Sequence, residues 1–124
     1  MIKGIILENT FSSISKIAES MFAILAILGP LKEFLLRLKW DSLTEVTKIT
    51  HPLLMVAGEK DSLCPLVMTK ELFAAAQKCK FSEFYMVEAG DHNDTFIKGG
   101  EEYLRQLNCF MDKCLDETTS VLEV

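Results

Sequence analysis

"PLLMVAGEKDSLCP", residues 52–65, changes character halfway. Up to Ala57 it is apolar on both faces, the pattern of a strand covered on both sides in a parallel sheet. From Gly58 it turns polar, and Pro65 suits the first position of a helix. Two other runs share the first half of this pattern: "GIILE" at 4–8 and "EFYMVEA" at 83–89. Helical spacing lies between and after them. Phe11, Ile14, Ile17, Ala18 and Met21 follow 3/4 spacing with Ser12 or Ser13 as a cap. Val67, Met68, Leu72 and Phe73 give a second apolar face. After Gly99 and Gly100, the set Tyr103, Leu104, Leu107, Phe110, Met111, Cys114 and Leu115 gives a third. Strands alternating with helices predict an α/β fold with three parallel strands.

Residues 20–50 break the rhythm with the helical stretch "PLKEFLLRLKW" and the polar segment "DSLTEVTKIT". A simple crossover needs less chain, so an insertion at about 20–48 is expected to form a helical cap over the carboxyl edge of the sheet. Within it, "MFAILAILG" at 21–29 stops at Pro30, well short of the ~20 residues a membrane span requires. A buried or interfacial helix is the expectation there. The N-terminus has no secretory signal pattern. One partial domain over 1–118 is expected, with 119–124 a frayed polar tail.

A chain of 124 residues holds one core. The net charge of -5 and the scattered Lys and Arg exclude a nucleic-acid footprint. Cys64, Cys79, Cys109 and Cys114 form no C-x-x-C, so free thiols in a reducing compartment, the cytoplasm foremost, are expected. Cys109 and Cys114 fall on different helix faces and are not expected to pair. No cofactor motif is present. Asp91, His92 and Asp94 are adjacent loop residues that do not converge on one ion without a distant ligand, so no metal is expected.

Ligands of open α/β sheets bind beyond the carboxyl ends of the strands. Glu8 and Asn9 follow the first strand, Asp61 the second and His92 the third. Taken singly, Asp61 reads as a turn or capping residue and His92 as a loop histidine. Together, on neighbouring loops, a carboxylate would accept the imidazole N–H and stabilise the imidazolium formed in proton transfer. His51 precedes Pro52 at the opposite end of the sheet and reads as structural.

"GEKDSLCP" and "AGDHNDTF" resemble the acid and histidine motifs of the α/β-hydrolase superfamily, whose triad runs Ser, then Asp or Glu, then His. With "GIILENTFSSI", the match narrows to the branch called α/β-hydrolase domain-containing protein thirteen, or bud-emergence-like hydrolases. The H-N-D-T and E-N-T-F runs are its specific parts; G-x-x-D-x-x-x-P is shared more widely. The resemblance spans roughly residues 2–115 and is weakest over 20–48.

It implies the C-terminal half of an α/β-hydrolase fold, with Asp61 as triad acid, His92 as general base and Glu8 as fallback acid. Asn93 and Asp94 are expected to tie down the histidine loop. The nucleophile elbow G-x-S-x-G does not occur in the 124 residues, and Ser12, Ser13, Ser15, Ser62 and Cys64 do not stand in for it. The family's oxyanion loop is missing as well, so the chain is expected to be inactive alone. The complete enzyme would cleave an ester, thioester or amide through an acyl-serine, on a small hydrophobic acyl-type substrate. The alternative is a truncated, non-enzymatic interaction module. Its partner would be a protein on the exposed edge of strand 4–8. Relatives generally carry an N-terminal membrane anchor, so membrane attachment would come only through a region this chain lacks.

Overall fold

The computed structural model describes residues 2–14, 16, 17 and 40–119. The predicted stretch 21–29, the helix to residue 39, most of the cap-like insertion and the tail beyond 119 lie outside the described residues. In chain order the elements are β1 (Ile5–Glu8), α1 (Ser42–Val46), β2 (Leu53–Gly58), α2 (Leu66–Ala75), β3 (Ser82–Val87) and α3 (Thr95–Thr119). The strands form one parallel sheet in the order β1-β2-β3. Glu8 lies opposite Val56 and Gly58 opposite Val87, so the carboxyl ends of all three strands reach one edge.

β2 is central, and every residue of it is buried. Its alternation sends Leu53 and Met55 to one face, where they pack with Val46 of α1 and Leu72 of α2. Leu54 and Val56 point to the other face, against Val87, Phe110 and Cys114. The expectation that all three strands are covered on both faces holds for β2 alone. Ile6 of β1 is 40% exposed and Met86 of β3 is 41% exposed. Among the described strands, β1 and β3 each pair only with β2, so their outer positions lose cover.

The sequence pattern assigns "DSLTEVTKIT" to the cap-like insertion. Instead Asp41 caps a short helix, accepting hydrogen bonds from Thr44 N at 3.1 Å and Thr44 Oγ1 at 2.6 Å. That helix carries Val46 into the core. Ser13, not Ser12, caps the turn at residues 14–17, through Lys16 N at 3.2 Å. On α2 the expected apolar face shifts, with Met68, Thr69 and Leu72 buried and Val67 exposed.

α3 breaks at Gly100, whose φ of 52° lies in the left-handed region that glycine enters without strain. Past the break, Phe110 and Cys114 are buried and Tyr103 and Leu107 pack beside them. Leu104 and Met111, expected on the same apolar face, are exposed. None of the four cysteines is in a disulfide. No described helix is long and apolar enough to cross a membrane.

Candidate active site

Each strand ends in a different polar device. After β2, Asp61 turns its carboxylate inward, with the side chain 1% exposed. One oxygen, Oδ1, accepts from the backbone N–H of Leu63 at 2.9 Å and of Cys64 at 2.6 Å. The other, Oδ2, lies 2.9 Å from His92 Nδ1. A carboxylate accepts here if Nδ1 is the donor, the tautomer in which Nε2 keeps its lone pair. The histidine side chain is 28% exposed, which suits a group that must meet a ligand.

Two loops must cross closely to make this pair. Gly58 and Gly90 meet at their backbones: a Cβ on Gly58 would sit 2.5 Å from Gly90 O. Lys60 N donates to Gly90 O at 2.8 Å, and Ala89 N donates to Glu59 Oε2 at 2.9 Å. Ala89, read from sequence as the end of the third strand, already has φ 55° and belongs to the loop. Asp91 fastens the loops from the outside, its Oδ1 accepting from Ser62 N at 2.9 Å and His92 N at 2.8 Å. These backbone donors hold the Asp91 carboxyl below its ordinary pKa. Asp94 does tie the loop to its own backbone, accepting from Asp91 N at 2.7 Å.

The residue that joins all three strand ends is Asn9, for which the sequence suggested only a place at the edge. Its Nδ2 donates to His92 O at 3.0 Å and to Thr95 Oγ1 at 2.7 Å. Its Oδ1 accepts from Gly58 N at 2.9 Å. Thr95, itself 1% exposed, passes the connection on by donating to Asp91 O at 2.7 Å. Asn9 has φ 45°, a conformation asparagine tolerates better than most residues. A carboxamide directly after a buried strand, at the same edge as the acid and the histidine, was the available signal.

Glu8 takes another role. It accepts from Tyr103 Oη at 2.9 Å and so ties β1 to α3, while the histidine pairs with Asp61. Burial, followed by that bond to Glu8, pushes the Tyr103 phenol up to about 12. Between the end of β1 and the histidine loop lies an open pocket of about 650 Å³, lined by Phe11, Ile17, Leu63, Cys64, His92 and Phe96 among others. Cys64 is 3% exposed. Burial, and then the charge of Asp61, raise its thiol to about 11. It therefore stays protonated at neutral pH and does not act as a thiolate nucleophile.

No protein-family model matches the chain. It is 31% identical over 128 aligned positions to the α/β-hydrolase domain-containing protein WAV2 of Arabidopsis thaliana, covering 94% of this chain and 41% of that protein. It is 31% identical over 111 positions to protein bem46 of Schizosaccharomyces pombe, covering 89% and 35%. The chain thus spans about two fifths of the length of these curated relatives. Among solved structures, an esterase of Pyrococcus furiosus superposes with a TM-score of 0.71 at 15% identity, over 90% of this chain and 44% of the esterase. The acylaminoacyl peptidase of Pyrococcus horikoshii superposes with a TM-score of 0.59 at 18% identity, over 90% and 19%.

Proposed function

Since the chain belongs to the α/β-hydrolase superfamily, in the branch of WAV2 and bem46, we propose that it supplies the acid and base of a serine-hydrolase triad. The observation that carries this is the 2.9 Å contact between His92 Nδ1 and the buried carboxylate of Asp61, at adjacent strand ends. His92 would take the proton of an incoming serine hydroxyl through Nε2 and return it to the leaving group. Asp61 would hold the ring in that tautomer and balance the imidazolium. The nucleophile would come from outside these 124 residues, because no G-x-S-x-G occurs in them. The substrate would be an ester, thioester or amide. Phe11, Ile17, Leu63 and Phe96 around the pocket favour an apolar acyl group.

The test uses two polypeptides, the 124-residue chain and the longest product of the same gene, each given p-nitrophenyl acyl esters. The chain alone is expected to show no turnover. In a longer product containing G-x-S-x-G, Asp61→Asn keeps the shape of the side chain but presents the wrong partner to Nδ1. It should lower kcat by roughly 10⁴-fold, and His92→Ala should do at least as much damage. Full activity in His92→Ala would sink the proposal.

A second reading rests on a separate observation. An open groove of about 840 Å³ runs beside β1, lined by Ile5, Leu7, Trp40, Val46, Ile49 and Leu72 among others. Among the described strands, β1 pairs only with β2. Both features suit a non-enzymatic interaction module. A native 14.0 kDa product, recovered in a stoichiometric complex and inert towards esters, would favour that reading over the first.

A further inference from the structure

We propose that Asp61, Cys64 and His92 form a binding site for one soft divalent cation, zinc or cadmium, and that occupancy takes His92 out of its pair with Asp61. One ligand atom from each of these residues lies within 4.8 Å of the other two. They come from two loops already locked together by the Gly58–Gly90 contact and by Asp91. The cluster differs from the one the sequence invites, Asp91-His92-Asp94, whose two carboxylates are occupied by Ser62, His92 and Asp91 backbone donors.

The geometry is close to what zinc needs. With ligand distances of about 2.0–2.3 Å, donors around a tetrahedral zinc stand about 3.3–3.8 Å apart. His92 Nδ1 and Asp61 Oδ2, now 2.9 Å apart, must separate slightly, and the sulfur must close in by up to about 1 Å. Rotation of the part-exposed imidazole and of the Cys64 side chain would supply both shifts. One nitrogen, one sulfur and one oxygen suit zinc and cadmium, whereas magnesium and calcium call for an oxygen cage.

The surroundings fit an ion as well. Asp61 Oδ1 keeps its bonds from Leu63 N and Cys64 N, which would orient the carboxylate behind the metal. Cys64 and His92 both line the pocket at the strand ends, so an ion has an entry and a fourth position open to water. Binding releases the Cys64 proton, since a coordinating thiol is deprotonated by the cation, and the imidazole proton moves from Nδ1 to Nε2. Carboxylate and thiolate then balance the double charge. Nδ1 cannot bind the ion and donate to Asp61 together, so the ion is an inhibitor. That consequence rests on the hydrolase reading; the binding itself does not.

The test titrates cadmium chloride into the 124-residue chain carrying Cys79→Ala, Cys109→Ala and Cys114→Ala, leaving Cys64 as its single thiol. The expected result is one cadmium per chain, with a thiolate-to-cadmium absorption band that zinc reverses and magnesium does not. His92→Gln in that background should weaken binding by roughly 100-fold or more, beyond the loss typical of an outer partner. Affinity unchanged by His92→Gln overturns the site, as does absence of the band in a chain with native far-ultraviolet dichroism. If the triple replacement unfolds the chain, calorimetry on the unsubstituted chain against its His92→Gln variant decides the same question: weaker cadmium binding in the variant supports the site, and equal binding overturns it. Cadmium binding in a chain whose longer product hydrolyses nothing would support the site and refute the hydrolase reading. Binding without inhibition of an active longer product would refute the inhibitory role.

Discussion

At the carboxyl end of the sheet, Asn9, Asp61, Asp91 and Thr95 each commit a polar atom to a neighbouring loop, through bonds spanning up to 86 residues of sequence. Along the outer row of α3, Leu104 and Met111 stand 60% and 44% exposed, one helical position round from the buried row of Phe110 and Cys114. The first region has many partners for little apolar area; the second leaves apolar area exposed. In the first, losing a buried group such as Asn9 or Thr95 should cost more than its bond is worth, because an unmet donor in a buried place carries its full desolvation penalty.

Asn9 gives the sharpest way to break the first region. Asn9→Ala leaves Gly58 N–H buried without its acceptor, removes two donated bonds, and puts alanine at φ 45°. The expected cost is about 3 kcal/mol of unfolding free energy, read from the shift in urea midpoint. Asn9→Gly restores the backbone freedom and should recover about 1 kcal/mol of it. A loss below about 1 kcal/mol for the alanine variant would mean the three loops hold one another without Asn9.

How much of this was legible differs between the same two regions. β2 could be read because five successive apolar residues, Leu53 to Ala57, leave few other places for them than the middle of a sheet. Asp61 and His92 could be paired because consecutive parallel strands bring their following loops to one edge. Asn9 could not be assigned its role, since that depends on a positive φ and on partners more than eighty residues away. Cys64 escapes notice because spacing rules look for C-x-x-C, whereas its neighbours are an acid three residues back and a histidine on another loop. On α3 the apolar residues form two adjacent rows, and periodicity alone does not say which row is covered. Val46 was hidden in a polar segment by being almost its only buried residue.

Within the site, Cys64 is a buried group whose contribution depends on pH. Its thiol has an ordinary value of 9.0 and is pushed up to about 11 by burial, so the fold favours the neutral form. That contribution is present in full below pH 9 and is lost as pH rises through about 11. The wild-type chain should therefore lose about 2 kcal/mol relative to Cys64→Ala over that window. Parallel stability curves for the two chains from pH 8 to pH 11 would show that the thiol is already solvated.

The outer row of α3 should give the smallest effect. Leu104 and Met111 are seven residues apart, two helical turns, and so lie on one stripe. If solvent covers that stripe, Leu104→Lys with Met111→Lys removes apolar contact with nothing, and unfolding free energy should move by less than about 0.5 kcal/mol. Sedimentation should be unchanged too. A loss above about 1 kcal/mol, or a fall in sedimentation coefficient, would mean that another surface covers this row in solution. Apolar burial would then hold together both regions, with the hydrogen-bonded loops confined to positioning Asp61 and His92.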